Sequence, residues 1–206
     1  KVGKSSLFNR LVGQQHKAMT HDRPGVTRDR HYGILRLGER VDSNNAIVLV
    51  DTGGFYPDKV EENVPRLRDQ KKAKLFNVMA AQAEEAISQS DLVLLVVDVR
   101  EGLIPADKEL VNYLRSHNVP VWVIANKFDD YGQAGSEHEF YQLGLPDSPL
   151  YTTSAAHGIG VPTLVDDLEE WNNKTNSERL LAGVIPPSPV VGKVAILGAP
   201  NVGKST

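Results

Sequence analysis

The same four residues, Val-Gly-Lys-Ser, occur at both ends of this 206-residue chain, as residues 2–5 and again as residues 202–205. A glycine followed by lysine and serine is typical of the second half of a phosphate-binding loop. In such a loop, backbone amides point at phosphate oxygens, the lysine neutralises phosphate charge and the hydroxyl binds Mg²⁺. Both segments are therefore candidate phosphate sites.

The two candidates are incomplete in opposite ways. The C-terminal one has the leading glycine, Gly198, and a predicted strand at 193–197, but no sequence after it that could form a helix. The N-terminal one is followed by a predicted helix at 6–12 but has no strand before it. A full phosphate loop joins a strand to a helix. The repeat is typical of the start of a second copy of the domain. We also hypothesise that strand 193–197 completes the sheet of its own chain, or that of a neighbouring chain by a swap.

An acidic residue, Asp51, ends a predicted strand and is followed by Thr52 and two glycines, Gly53 and Gly54. A carboxylate there can hold a Mg²⁺-bound water, and the Gly54 amide can sense a terminal phosphate. Taken alone, the segment is equally typical of an ordinary turn. Thr27 lies in a polar segment after the first helix, and its hydroxyl can complete the Mg²⁺ shell when GTP is bound.

The segment Asn126-Lys127-Phe128-Asp129 follows another strand and indicates which base is bound. The Asp129 carboxylate can accept hydrogen bonds from N1–H and the 2-amino group of guanine. Adenine has neither donor, so ATP is disfavoured. The Lys127 stem can cover the base, Asn126 can tie neighbouring loops together, and the amides of the loop at Ser154 and Ala155 can meet the guanine O6.

These patterns together predict a GTP and GDP site with Mg²⁺. Lys4, Thr27 and Gly54 are the predicted catalytic residues, and Ser5, Thr27 and Asp51 the predicted metal ligands. The residues predicted to contact the nucleotide are Gly3, Lys4, Ser5, Ser6, Asp51, Thr52, Gly53, Gly54, Asn126, Lys127, Asp129, Ser154, Ala155, Gly198, Asn201, Gly203, Lys204, Ser205 and Thr206.

The elements that must position these residues alternate between strand and helix. Unbroken apolar runs at 46–51, 91–98 and 119–126 predict strands covered on both faces, and 149–153 a shorter one. Helical patterns occupy 71–88, 106–117 and 162–171. The sequence thus predicts an α/β fold with a mostly parallel, doubly wound sheet, as in a P-loop NTPase. We predict a first domain over 1–171, a linker over 172–192 and the start of a second domain over 193–206.

Composition bears on the partners and the cellular location of the protein. The chain carries a net charge of −3, has no cysteine and is 40% hydrophobic. The charge gives no reason to expect a DNA partner, and the apolar runs are too short to cross a membrane. Without cysteine or a signal peptide, a cytoplasmic location is expected.

The ordered motifs resemble those of the Der (EngA) family, which carries two tandem GTPase domains and a KH-like RNA-binding domain. That resemblance implies a Ras-like G domain and a GTPase acting in large ribosomal subunit assembly. It also implies a K⁺ role for the asparagine of the phosphate loop. Asn201 matches that asparagine, whereas its N-terminal counterpart is Lys1.

Hydrolysis itself is less clearly specified than binding. Phe55 follows Gly54, where Ras-like GTPases carry a water-orienting glutamine, so we expect slow hydrolysis that depends on K⁺ or a partner. Two alternatives stay open: a non-hydrolysing, GTP-dependent binding module for ribosomal RNA or protein, and a fragment that cannot bind nucleotide.

Overall fold

The computed structural model describes residues 2–13, 31–38, 45–52, 83–130, 135–145, 147–183 and 191–199. Several predicted site residues lie outside these ranges, namely Thr27, Gly53, Gly54, Asn201, Gly203, Lys204, Ser205 and Thr206. Lys1 and Phe55 also lie outside them. None of the described helices has the length and apolar character needed to span a bilayer.

Within the described residues, six strands form one mixed sheet in the order β1-β2-β6-β3-β4-β5. Only the β1–β2 pair is antiparallel. This agrees with the predicted mostly parallel α/β fold, and the antiparallel edge strand β1 is an addition to it. The strands are β1 (His31–Arg36), β2 (Ala46–Asp51), β3 (Leu92–Asp98), β4 (Val121–Asn126), β5 (Leu150–Thr152) and β6 (Val191–Leu197).

Helices connect the parallel strands. They are α1 (Lys4–Gly13), a short described stretch α2 (83–88), α3 (Pro105–Arg115) and α4 (Val161–Leu181), with a 3₁₀ helix at Ser136–Leu143. Proline stands in the first turn of α3 and of α4, where its missing N–H leaves no hydrogen bond unmade. The rest of the helix predicted over 71–88 lies outside the described residues.

The sheet is buried on both faces, which explains the unbroken apolar runs. Along β3, Leu92, Leu94 and Val96 pack into one hydrophobic cluster with α1 and α4. The intervening Val93, Leu95 and Val97 pack into a second cluster with α2 and α3. Because successive side chains of a strand point to opposite faces, only a strand between two layers needs apolar residues at every position.

The C-terminal strand β6 lies inside this sheet, between β2 and β3. Its residues pair in parallel with Ala46–Asp51 on one side and with residues 92–95 on the other. The strand therefore completes the sheet of its own chain, the first of the two arrangements expected from the sequence. Asp91 accepts a hydrogen bond from the Lys193 amide at 2.9 Å and pairs with Arg179 of α4, which fixes the start of β6.

Helix α4 is longer than predicted, since it continues to Leu181 instead of ending at Trp171. The prediction failed because the apolar spacing stops at Asn172 and a polar stretch follows. Asn172 instead donates a hydrogen bond to the Asn45 side chain at 2.6 Å. The first part of the segment predicted as a linker is thus helical, while the division of the chain into domains stays a prediction.

Gly160 offers a test of how α4 is seated against the sheet. Its φ is +69°, and an added Cβ would lie 2.1 Å from the carbonyl oxygen of Thr152. Gly183 has nearly the same φ, +70°, but nothing within 4 Å of an added Cβ. We predict that Gly160→Ala lowers the free energy of unfolding by at least about 2 kcal/mol, because strain and overlap add.

The matched control, Gly183→Ala, should lower it by about 1 kcal/mol, from backbone strain alone. Urea denaturation of the two variants and the parent chain measures both values. Equal losses in the two variants would show that the close approach of Gly160 to β5 does not exist in solution.

Candidate functional site

The candidate site lies at one edge of the sheet, where the parallel strands end. Asp51 ends β2, Asp98 ends β3, Asn126 ends β4, and Gly198 follows β6. In open α/β sheets, ligands bind in the crevice outside the carboxyl ends of the strands. The fold therefore collects most of the described predicted residues at the edge where a ligand is expected.

The two ends of the chain meet at this edge. An added Cβ on Gly198 would lie 2.5 Å from the Val96 carbonyl oxygen, 2.9 Å from Val2 Cγ2 and 3.4 Å from Lys4 Cδ. The strand half of a phosphate loop, which ends in Gly198, thus abuts the helix half, which begins at Gly3. Only glycine fits at position 198, because any side chain would displace the N-terminal segment or β3.

Gly3 and Lys4 form the turn into α1. Gly3 has a φ of +91°, which favours glycine, and its carbonyl accepts the first helical hydrogen bond from the Leu7 amide at 2.9 Å. The Lys4 side chain is only 7% exposed. Burial lowers the pKa of Lys4, and the nearby Asp51 carboxylate opposes that effect in part. A buried ammonium at a helix N-terminus is a favourable partner for a phosphate.

Ser5 and Asp51 are in direct contact. The Ser5 hydroxyl donates a hydrogen bond to Asp51 Oδ2 at 2.7 Å, so two of the three predicted metal ligands are adjacent. A hydroxyl and a carboxylate side by side are the hard oxygen donors that Mg²⁺ prefers. The described residues hold no cluster of three or more metal-binding side chains. A pair nevertheless fits Mg²⁺, which usually takes its remaining ligands from water and from phosphates.

Asn126 connects the phosphate-side segment to the loop at 153–155. Its Nδ2 donates to the Val2 carbonyl at 2.8 Å. Its Oδ1 accepts from the Ala155 amide at 2.9 Å and from the Thr153 hydroxyl at 3.2 Å. All three hydrogen bonds are buried, so losing the side chain would leave buried donors and acceptors unsatisfied.

Asp129 lies on the outer side of this junction. Its Oδ1 accepts a hydrogen bond from the Ser154 hydroxyl at 2.5 Å, and its Oδ2 forms an ion pair with Arg100. The hydrogen bond from Ser154 lowers the pKa of Asp129, burial opposes that effect in part, and electrostatic interactions with Arg100 and His157 lower the pKa further. The group is therefore an anion at neutral pH, as a receptor for two N–H donors must be.

Lys127 is held in a fixed position beside Asp129. It has a φ of +67°, unusual for a residue with a side chain, and its ammonium forms an ion pair with Asp98. Asp98 is buried, whereas the Lys127 side chain is partly exposed. The ion pair therefore fixes the end of the lysine side chain at the end of β3, while part of the side chain stays exposed.

Two residues predicted to contact the nucleotide make hydrogen bonds within the chain. The Thr52 hydroxyl donates to the Ile196 carbonyl at 3.0 Å, which ties β2 to β6. The Ala155 amide, expected to meet the guanine O6, donates to Asn126. Each group donates a hydrogen bond to a buried acceptor, the Ile196 carbonyl in one case and the Asn126 side chain in the other. These partners are distant in sequence, so the sequence alone does not predict them. Ser6 is exposed on the first turn of α1.

Three residues at the site were not predicted: Arg10, Asp98 and Arg100. Arg10 of α1 donates to the carbonyls of Ala155 and Ala156, at 3.0 and 2.5 Å. Asp98 was detectable in principle, because it ends a buried strand as Asp51 does. The two arginines carry no such signal, since their partners are distant in sequence.

The chain is similar to several proteins described as GTPases. A GTPase Der of Paraburkholderia xenovorans is 39% identical over 210 residues, which cover all of this chain and 41% of the relative. The chain thus spans about two-fifths of the length of that relative.

Solved structures of Era share the fold. A variant of Aquifex aeolicus Era bound to GDP·AlF₄⁻ has a TM-score of 0.59 and 26% identity, covering 82% of this chain and 52% of that one. Era in complex with MgGDPNP and nucleotides 1506–1542 of 16S ribosomal RNA gives a TM-score of 0.58 at 26% identity, with the same coverage.

The family described as 50S ribosome-binding GTPase matches residues 1–127, more than half of the chain, including both the phosphate-side segment and β4. With the P-loop NTPase fold and the site described above, this chain belongs to the 50S ribosome-binding GTPase family.

Proposed function

We propose that this chain binds GTP and GDP with Mg²⁺ and hydrolyses GTP to GDP and phosphate. The observation that carries the proposal is the pair of hydrogen bonds by which Asn126 joins Val2 to Ala155. They link the segment that would hold phosphates to the loops that would hold a guanine base. A single nucleotide could then be bound across both.

On the phosphate side, we propose one loop built from both ends of the chain. Gly198 would supply its beginning, and Gly3, Lys4 and Ser5 its end. The proximity of Gly198 to Val2 and Lys4, which an added Cβ would approach to 2.9 and 3.4 Å, supports this arrangement. Lys4 would neutralise the β- and γ-phosphates, and Ser5 with Asp51 would hold Mg²⁺ directly or through water. When bound, Mg²⁺ would neutralise charge that develops on the phosphate oxygens.

On the base side, Asp129 would accept hydrogen bonds from the guanine N1–H and 2-amino groups. Ser154 orients the carboxylate through its 2.5 Å hydrogen bond. The Lys127 stem, fixed by Asp98, would cover one face of the base. An adenine base would leave the Asp129 carboxylate facing no donor, which makes its binding unfavourable.

In the hydrolysis step, a water oxygen forms a bond to the γ-phosphorus while the bond to the β–γ bridging oxygen breaks. The leaving oxygen stays on GDP as part of its β-phosphate, and the proton lost by the attacking water passes to the phosphate product or to solvent. The chain contributes charge neutralisation through Lys4 and positioning through the loop amides. Phe55 cannot orient water by hydrogen bonding, so we propose that the reaction is slow and depends on K⁺ or on a partner.

We further propose a cytoplasmic role in assembly of the large ribosomal subunit. The family description, 50S ribosome-binding GTPase, supports that partner, and the complex of Era with a 16S ribosomal RNA segment supports RNA contact within the wider group. The chain's small negative charge is compatible with a local contact instead of a general affinity for nucleic acid.

The base-reading role of Asp129 predicts a change of specificity in Asp129→Asn. Titration with fluorescent GDP and Mg²⁺ should show affinity lower by about tenfold or more, because a charged acceptor of two hydrogen bonds is lost. Binding of the xanthine analogue should improve, since the new amide can donate to its C2 carbonyl. Asp130→Asn removes the same charge one residue away and is the control. Equal effects of the two substitutions would contradict the assignment.

The proposed dependence on K⁺ predicts a difference between salts in phosphate release. With GTP and Mg²⁺, release by the chain should be faster in KCl than in NaCl at equal ionic strength, or should rise on adding 50S subunits. GTP binding without release under any of these conditions would instead identify a non-hydrolysing binding module.

A further inference from the structure

The carboxylate proposed to recognise guanine already has a partner within the chain. The Arg100 guanidinium forms an ion pair with Asp129 through Nη2 and Oδ2. The Arg100 side chain is 56% exposed, whereas that of Asp129 is 20% exposed. The Arg100 side chain therefore covers the Asp129 carboxylate from the solvent side. Because Arg100 is the more exposed of the two, it is the side chain that can move away.

Arg100 is brought to this position by a turn that rests on the ends of β3 and β4. Its amide donates to Asp98 Oδ1 at 3.0 Å, and the preceding Val99 amide donates to the Asn126 carbonyl at 3.0 Å. Gly102, with a φ of +69°, closes the turn through a 3.1 Å hydrogen bond to the Asp98 carbonyl. The backbone of Arg100 is thus anchored, while its exposed side chain can leave Asp129.

The guanidinium group and the Watson–Crick edge of guanine are chemically alike. Each presents neighbouring N–H donors in one plane, a pattern that matches the two oxygens of a carboxylate. Ser154 already donates to Oδ1 of Asp129, so Arg100 and a base would compete for the acceptor capacity that is left. A guanine base cannot approach Oδ2 along the direction that Arg100 occupies.

We infer that Arg100 is a specificity-determining residue that acts as an internal substitute for the guanine base. It occupies Asp129 before a guanine nucleotide binds and leaves when one does. The inference rests on the proposed function, because it assumes that Asp129 recognises guanine. Because Arg100 competes for Asp129, the affinity of the chain for guanine nucleotides is lower than it would be without Arg100.

The size of the effect follows from the exposure of the ion pair. Exposed ion pairs contribute about 0 to 1 kcal/mol, which corresponds to at most about a fivefold change in affinity. Arg100→Ala should therefore bind fluorescent GDP about two- to fivefold more tightly than the parent chain. The gain should shrink toward none in 1 M salt, where the Debye length is about 3 Å.

The experiment compares the parent chain with Arg100→Ala, Arg100→Lys and Arg36→Ala in GDP titrations at low and high salt. Arg36 is an exposed arginine on β1 whose removal changes the net charge equally. It should leave affinity unchanged, and the lysine variant should lie between the parent and the alanine variant. Unchanged or weaker binding by Arg100→Ala, with binding by the parent intact, would overturn this inference alone.

A second measurement needs no nucleotide. Because the Arg100 charge helps to lower the pKa of Asp129, carboxyl NMR titration should give a higher Asp129 pKa in Arg100→Ala than in the parent. An unchanged Asp129 pKa would show that the contact does not form in solution and would overturn the inference. ATP is titrated in parallel as the control nucleotide. If neither the parent nor any variant binds GDP more tightly than ATP, the proposed function and this inference are both overturned.

Discussion

The structure depends on the insertion of β6 between β2 and β3. Its side chains Val194, Ile196 and Leu197 are fully buried, and together they contribute roughly 5 to 9 kcal/mol of burial free energy as an upper estimate. That is comparable to the whole net stability of a typical domain, about 5 to 15 kcal/mol. Without β6, the β2 and β3 edges would also lose their hydrogen-bonded partner. The sheet that carries the site is therefore held together by the C-terminal end of the chain.

The same insertion brings distant residues to one edge. Gly198, which follows β6, lies so close to Val2 and Lys4 that an added Cβ would approach both, and Asn126 ties Val2 to the loop that follows β5. Arg10 adds a second tie from α1 to that loop. The proposed phosphate and base halves of the site are thus mechanically connected through buried hydrogen bonds, which cannot be lost singly without leaving unsatisfied groups. Among the described residues, the two halves are therefore joined by the chain itself, and at Asp129 the Arg100 side chain forms an ion pair.

Much of this arrangement was predictable from the sequence. The strand runs before Asp51 and Asn126 indicated a two-faced parallel sheet, and the position of these residues at strand ends indicated a shared edge. The length of α4 was not predictable, because its second half is held by contacts of Asn172 with Asn45 and of Arg179 with Asp91, and not by an apolar stripe. The contact of Arg100 with Asp129 was equally hidden, since nothing local to either residue records it. Such contacts follow from the order of strands, which spacing alone does not give.

The most direct test of a phosphate site built from both ends is GDP titration of two lysine variants. Lys4→Ala removes the lysine that α1 places beside Gly198, and Lys204→Ala removes its counterpart in the C-terminal repeat. We expect Lys4→Ala to lose about tenfold or more in affinity, because a charge-assisted contact to phosphate disappears, and Lys204→Ala to bind like the parent. Loss of binding in Lys204→Ala with unchanged binding in Lys4→Ala would show that the C-terminal segment alone holds the phosphates, and would contradict the composite site.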